Sequence, residues 1–391
     1  MRGMVFYLGW IFLVSSLGAG CFSTSPFVRK TVKRNYQILP AAPLYVQSLA
    51  ESQIAVVDII TAQVIGTLQD PKFRAAAAIE VDSQGYLFVA IDADATHDYR
   101  EIWKIDPRLG TRVARIELPT WAPTLLAMSP QDILLVGHSL EKPDGSSDID
   151  VILAREARRL QTLEVPGLAV SIAFGQSVAY VAINASRHPA NSGVLVYDID
   201  TTRGLRWRAY YRLTQPTGKP PLSPVSVAFD AKTGLLYMVL FQYDAQGPCQ
   251  QHGRLVALDT STGTWQRIID LEDVGPVAVL SDGTLLIGEA CPWGKGRLWR
   301  VDPIQKHRIQ QMTFEPGVWT LHSLGNDIYA VGINPNPLPQ DASAPRLFFV
   351  DGRQWRLLAS IPLPLSSARD LAGSLGGSVQ QPESTATLRS P

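Results

Sequence analysis

The sequence predicts an all-β protein, a seven-bladed β-propeller with four antiparallel strands per blade. Three observations carry that expectation. An apolar run closed by aspartate recurs along the chain at a spacing of roughly 49 residues. A second apolar run precedes each of these, rich in the β-branched and aromatic residues that suit a pleated strand. Helical periodicity is almost absent. Of the 391 residues, 46% are hydrophobic, enough for a large core, and the 35 basic and 35 acidic side chains cancel. This excludes general disorder and argues against a nucleic-acid partner. Three cysteines are too few for a disulfide-dense scaffold.

In chain order, residues 1–20 are expected to stand outside the fold. One basic residue, Arg2, precedes an apolar run from Met4 to Leu17, followed by Gly18, Ala19, Gly20 and Cys21. That is the layout of a secretory signal, and the run is short for a membrane span. The small residues ending in Cys21 resemble a bacterial lipoprotein box, although Gly18 stands where that box usually carries leucine. The resemblance implies a lipidated Cys21 at the mature N-terminus, a tether over 21–42, and a place in the bacterial cell envelope, at the outer membrane or on the periplasmic side. The alternative is an uncleaved N-terminal anchor. Arg29, Lys30, Lys33 and Arg34 after the apolar run, against Arg2 before it, favour that by the positive-inside bias.

The propeller is expected over 43–379, with a disordered tail over 380–391. Aspartate closes an apolar strand at Asp58, Asp106, Asp198, Asp259, Asp302 and Asp351. The gap after Asp106 is two periods wide, and the stretch Asp150 to Ala154 supplies the missing copy without its aspartate. Each copy has an upstream strand, such as Leu44-Tyr45-Val46 or Leu236-Tyr237-Met238-Val239, and a downstream one, such as Val64 to Leu68. The repeated aspartates are read as turn formers that accept backbone N–H groups. The first copy lacks an opening strand, and Ala368 to Ala372 at the chain's end is expected to supply it. The ring would then close by pairing the two termini, which removes a sheet edge.

The pattern Leu44-Tyr45-Val46, Ile54 to Asp58, Val64 to Leu68 resembles the YVTN-type β-propeller repeat. That resemblance implies an extracytoplasmic propeller and carries no catalytic residue, because the repeat itself is structural.

Variation concentrates in the links between second and third strands, which are long at 92–101, 138–148, 184–193, 242–254, 288–297 and 334–346. Strand alternation puts all of them on one face, where a ligand or partner is expected. Cys249 and Cys291 lie in two of these loops on consecutive blades, and the pair is expected to form a disulfide in an oxidising compartment. Asp92, Asp94 and Asp98 alternate as in a Ca²⁺ loop, but His97 stands where such a loop needs glycine and no closing glutamate follows. A solvated acidic loop is the favoured reading, and no cofactor is expected. On the innermost strands only Glu80, His322, Arg369 and Asp370 are ionisable. Glu80 and Asp370 could act as acid and base, but a solvated or arginine-paired channel lining is favoured.

Trp207 to Arg212 interleaves aromatic and basic residues on an outermost strand, read as a charge-protected edge. The functional expectation is an exported, lipid-anchored binding or assembly module. It would touch the membrane through its anchor and an envelope protein through the loop-rich face. The alternative is a lactonase-like hydrolase or lyase using a divalent metal near the central channel.

Overall fold

A computed structural model describes residues 33–34, 43–48, 51–93, 98–214, 221–242, 252–289, 296–314, 317–333, 345–365 and 367–373. Seven antiparallel sheets follow one another along the chain. Blade 2 sets the pattern: Ala76–Val81, Leu87–Ala93, Asp98–Asp106 and Thr111–Glu117 pair in sequence from the innermost strand to the outermost. The innermost strands of blades 3 to 7 are Pro123–Met128, Leu168–Phe174, Leu222–Asp230, Val277–Val279 and Val318–Gly325. These strands touch one another in order around the ring, so they line its centre.

Blade 1 is composite. Its innermost strand, Asp370–Gly373, comes from the far end of the chain and pairs with Pro43–Gln47, in the register Gln47↔Asp370 and Leu44↔Gly373. The ring therefore closes by joining its two ends, with the closing strand two residues further on than the sequence suggests. Gln53–Asp58 and Gln63–Gln69 complete the blade. A fifth strand, Lys33–Arg34, adds to its outer edge, pairing Lys33 with Gln69 and Arg34 with Leu68. It falls within the stretch read from sequence as a tether.

The core is divided among the seams. Each second strand is covered on both sides by neighbouring blades, which explains fully buried apolar runs such as residues 133–136. Alternate side chains serve opposite seams. Tyr45 and Val56 pack toward Phe73 and Trp103 of the blade 2 side. Leu44, Val46 and Val57 pack toward Leu347 and Phe349 of blade 7. Outermost strands cover only one side and alternate, as in Arg158–Val165.

The turn aspartates behave as expected in five blades. Asp58, Asp106, Asp259 and Asp302 each accept the amide two residues on, at 2.8–2.9 Å, and Asp351 accepts that of Gln354 at 2.7 Å. Blade 4 departs. Its third strand, Gly193–Asp200, runs two residues past Asp198, and Asp200 caps the turn by accepting the Thr202 amide at 2.8 Å. Asp198 instead faces the outermost strand and pairs with Arg206 and Arg208. In blade 3, where alanine replaces the aspartate, a neighbour intervenes. Lys104 of blade 2 is 4% exposed, donates to the Ala154 carbonyl at 2.8 Å and pairs with Asp82 at 3.2 Å.

Candidate functional site: the channel carboxyls and the loop-rich face

Period-two alternation on the innermost strands turns a few polar side chains toward the ring's centre, and the structure gives most of them the same task. Asp370 of blade 1 accepts the Ile79 amide of blade 2 at 2.8 Å. Glu80 of blade 2 accepts its own neighbour's amide, Val81, at 2.9 Å. Ser171 of blade 4 accepts Val227 N–H of blade 5, and Ser226 accepts Val277 N–H of blade 6. His322 of blade 7 donates from Nε2 to the Gly373 carbonyl of blade 1. At four seams a side chain thus bonds the next blade's innermost backbone.

Enclosure within the ring raises the cost of charge here. Burial pushes the Glu80 carboxyl up to about 8, with the nearby Asp370 charge adding to the effect and the Val81 and Met128 amides opposing it. Burial likewise lifts Asp370 to about 6, against its two amide bonds and Arg369. The same cause lowers His322 and Arg369, the latter being partly sustained by Asp370 and Asp92. The structure therefore brings Glu80 close to Asp370, and Arg369 close to Asp370 and Asp92, while His322 is bound one seam away. A protonated carboxyl beside an ionisable one can serve as acid and base. In this channel both also accept backbone amides.

Asp92 stands one residue before the end of a second strand, near Arg369, and backbone pairing sets Ala93 against Asp98. Asp94 and the side chain of Asp98 lie outside the described residues, as do Cys21, Cys249 and Cys291. No cluster of three or more metal-ligating side chains occurs among the described residues.

The loop-rich face is most fully defined over blades 3 and 4. The link 139–146 is folded by a turn in which the Gly145 amide donates to the Lys142 carbonyl, with Gly145 at φ +83°. Its Asp144 accepts the Ser146 amide and hydroxyl at 2.9 and 2.8 Å, bonds that hold the carboxylate below its ordinary range. The adjacent loop of blade 4 is locked to it. Glu141 accepts the Ser186 hydroxyl at 2.7 Å and amide at 3.2 Å, Arg187 reaches Glu141 at 3.5 Å, and Arg187 Nη1 donates to the Pro143 carbonyl at 2.8 Å. Lys142 pairs with Asp148 at 2.7 Å and Glu164 at 2.9 Å, which pushes its ammonium up to about 12. Between these loops opens a cavity of about 300 Å³, bordered by Asp144, Ser146, Glu164, Pro166, His188 and Asn191. Sequence reasoning located the loops but not the lock. Glu141 and Ser186 are 45 residues apart and match no local motif.

No family model matches the sequence, and no curated protein does. The fold has many relatives among solved structures. A candidate 6-phosphogluconolactonase of Bacteroides fragilis NCTC 9343 superposes with a TM-score of 0.60 at 10% identity, covering 85% of this chain and 97% of that one. Kuenenia stuttgartiensis hydrazine synthase gives 0.57 at 12% identity, covering 80% and 96%. The computationally designed Ika8 protein gives 0.50 at 15%, covering 81% and 83%. What is shared is the fold. At such identities it carries no residue roles.

Proposed function

We propose that this propeller is an exported, membrane-anchored binding or assembly module that recognises a protein partner through its loop-rich face, centred on the braced loops of blades 3 and 4. One observation carries the reading: Glu141, Ser186 and Arg187 tie two recognition loops into one surface before any partner arrives. A surface ordered in advance avoids the entropy of ordering loops on binding. Cross-linked pull-down of the tagged full-length protein from native membranes tests it, with the Cys21→Ser and Arg187→Ala forms alongside. The expected result is a stoichiometric partner, lost from the Cys21→Ser form and weakened on the order of tenfold by Arg187→Ala while thermal melting stays put. Absence of a partner in every form refutes the reading.

Cys249 and Cys291 belong to the same proposal as a disulfide joining the corresponding loops of blades 5 and 6. Mass spectrometry of non-reduced peptides should find one linked pair. Two free thiols would count against both the bond and export.

A second reading has an observation of its own. Glu80 and Asp370, both raised and electrostatically coupled, are the pair a channel hydrolase would use, and a propeller of similar fold is a candidate lactonase. Lactone hydrolysis abolished by Glu80→Gln, with melting that a chelator lowers and a divalent ion restores, would move the assignment to that reading.

A further inference from the structure

We propose that the outer edge of blade 4 is a second docking surface, which receives an extended acidic segment of a partner protein. It lies on the outer rim of the disc, and the proposal depends neither on the anchor nor on the loop-rich face.

Charge marks the whole blade. In a chain whose charges cancel, residues 168–213 hold five arginines, no lysine and two aspartates. Four of those arginines, Arg203, Arg206, Arg208 and Arg212, belong to the outermost strand Gly204–Arg212 or to the turn before it, and all four are exposed. Protection of a sheet edge does not require this excess. On the other outermost strands most guanidiniums have a carboxylate of their own, as Arg158 has Glu156 and Arg356 has Asp351. In blade 4, Arg206 and Arg208 share Asp198, at 2.9 and 3.4 Å. A bulge at Arg208 lets both reach it, since Tyr197 pairs with Trp207 and Val196 with Ala209. Asp200, the blade's other carboxylate, is held by the Thr202 hydroxyl at 2.6 Å and by the amides of Thr202 and Arg203. Arg212 lies over the Tyr210 ring at 5.2 Å and pairs with no carboxylate among the described residues. The edge therefore keeps guanidinium donors for a carboxylate from outside, whose geometry their planar forks match.

The edge is also fixed before anything binds. From blade 3, Gln161 donates to the Leu205 carbonyl at 3.1 Å and accepts its amide at 3.3 Å. On the blade 5 side, Trp265 Nε1 donates to the Arg212 carbonyl and the Tyr211 hydroxyl to the Thr260 carbonyl, both at 3.0 Å. Trp207, 55% exposed, stands edge-on to Tyr197 and Tyr210 and offers apolar surface next to the arginines. A hollow of about 660 Å³ opens beside the strand, bordered by Asp198, Asp200, Arg203, Leu205 and Arg206. A preformed surface of this kind saves the entropy of ordering long side chains on binding.

The flanks select the occupant. The stretch 198–212 has four basic and two acidic side chains, whereas the corresponding 154–165 of blade 3 has three and two, and 259–271 of blade 5 has one and two. The basic excess is thus concentrated in a strip one strand wide. Nucleic acid and anionic bilayers call for a broad basic surface. An extended acidic segment of a protein fits the strip.

Anisotropy of a dye-labelled octaglutamate peptide, titrated with the full-length protein in detergent, tests this, with octalysine as the control peptide. Octaglutamate is expected to bind and octalysine not to. Replacing both Arg206→Gln and Arg208→Gln should weaken octaglutamate on the order of tenfold, and Arg158→Gln on the neighbouring edge should change it less than about twofold. Asp198→Asn, which releases both guanidiniums, should tighten it severalfold, a gain that an unfolded variant could not show. Failure of octaglutamate to bind, unchanged affinity in the double variant, or weaker binding by Asp198→Asn overturns the proposal. Single-stranded DNA or phosphatidylglycerol vesicles that bind more tightly than octaglutamate, and lose that binding in the double variant, would overturn the protein partner.

Discussion

Glu80 sits where a carboxylate is costly, and the cost has a sign that can be measured. Its ordinary value of 4.5 is raised to about 8 in the folded ring, and that of Asp370 from 3.8 to about 6. Between those limits the folded chain holds protons that the unfolded chain has released, so stability falls as pH rises. The loss from Asp370 begins near pH 4 and is complete above about 6, and that from Glu80 runs from about 4.5 to 8. Melting temperature should drop by something on the order of 5 °C between pH 5 and 8. Glu80→Gln, whose amide oxygen can still accept the Val81 amide, should remove most of that slope and melt higher than the wild type at pH 8. A slope unchanged by Glu80→Gln would mean that water fills the channel and the carboxyl titrates normally. The ionisable set Glu80, His322, Arg369 and Asp370 was legible because few other ionisable residues stand on or beside the innermost strands. The bonds they make were not. Asp370 and Ile79 are 291 positions apart, and a backbone amide leaves no trace in residue identity.

At the scale of elements, the strands were legible almost residue by residue, because a blade sandwiched between two others must be apolar on both faces of its middle strands. The departures lie where an element borrows from its neighbour. Blade 3 has Ala154 in place of the turn aspartate, and Lys104 of blade 2 donates to the Ala154 carbonyl from across the seam. No local pattern reveals this, since the lysine sits one whole period upstream. The same seam carries a second clasp: Ser83 of blade 2 donates its amide and hydroxyl to Asp132 of blade 3, at 2.9 and 2.6 Å. Ser281 of blade 6 does the same to Asp327 of blade 7. Lys104→Met should be expensive for a reason its volume conceals. It leaves Asp82, 5% exposed, without its cation and the Ala154 carbonyl without its donor. Removing one partner of a buried pair costs about 3 kcal/mol or more. Equilibrium denaturation should find that loss in Lys104→Met and less than about 0.5 kcal/mol in the exposed control Arg158→Met. A cost below about 1 kcal/mol for Lys104→Met would show that the seam relaxes around the missing charge.

For the whole molecule the decisive feature is that the first blade is not complete until the last described strand has been laid down. Asp370–Gly373 covers the inner edge of Pro43–Gln47, and the neighbouring Leu365, Ala368 and Leu371 are buried in the seam between blades 7 and 1. Asp370 also reaches Ile79, so the same four residues hold blades 7, 1 and 2 in register. A propeller closed this way is stabilised as a ring and not blade by blade: losing the last strand opens an edge on one blade and frees two seams together. Ending the chain after residue 365 should therefore lower the melting temperature by on the order of 10 °C or more and broaden the transition. Ending it after residue 380, which removes only the stretch expected from sequence to be a tail, should leave melting unchanged. If the two truncated forms melt alike, and like the full chain, the terminal strand is not the closure, and the seven seams hold without it.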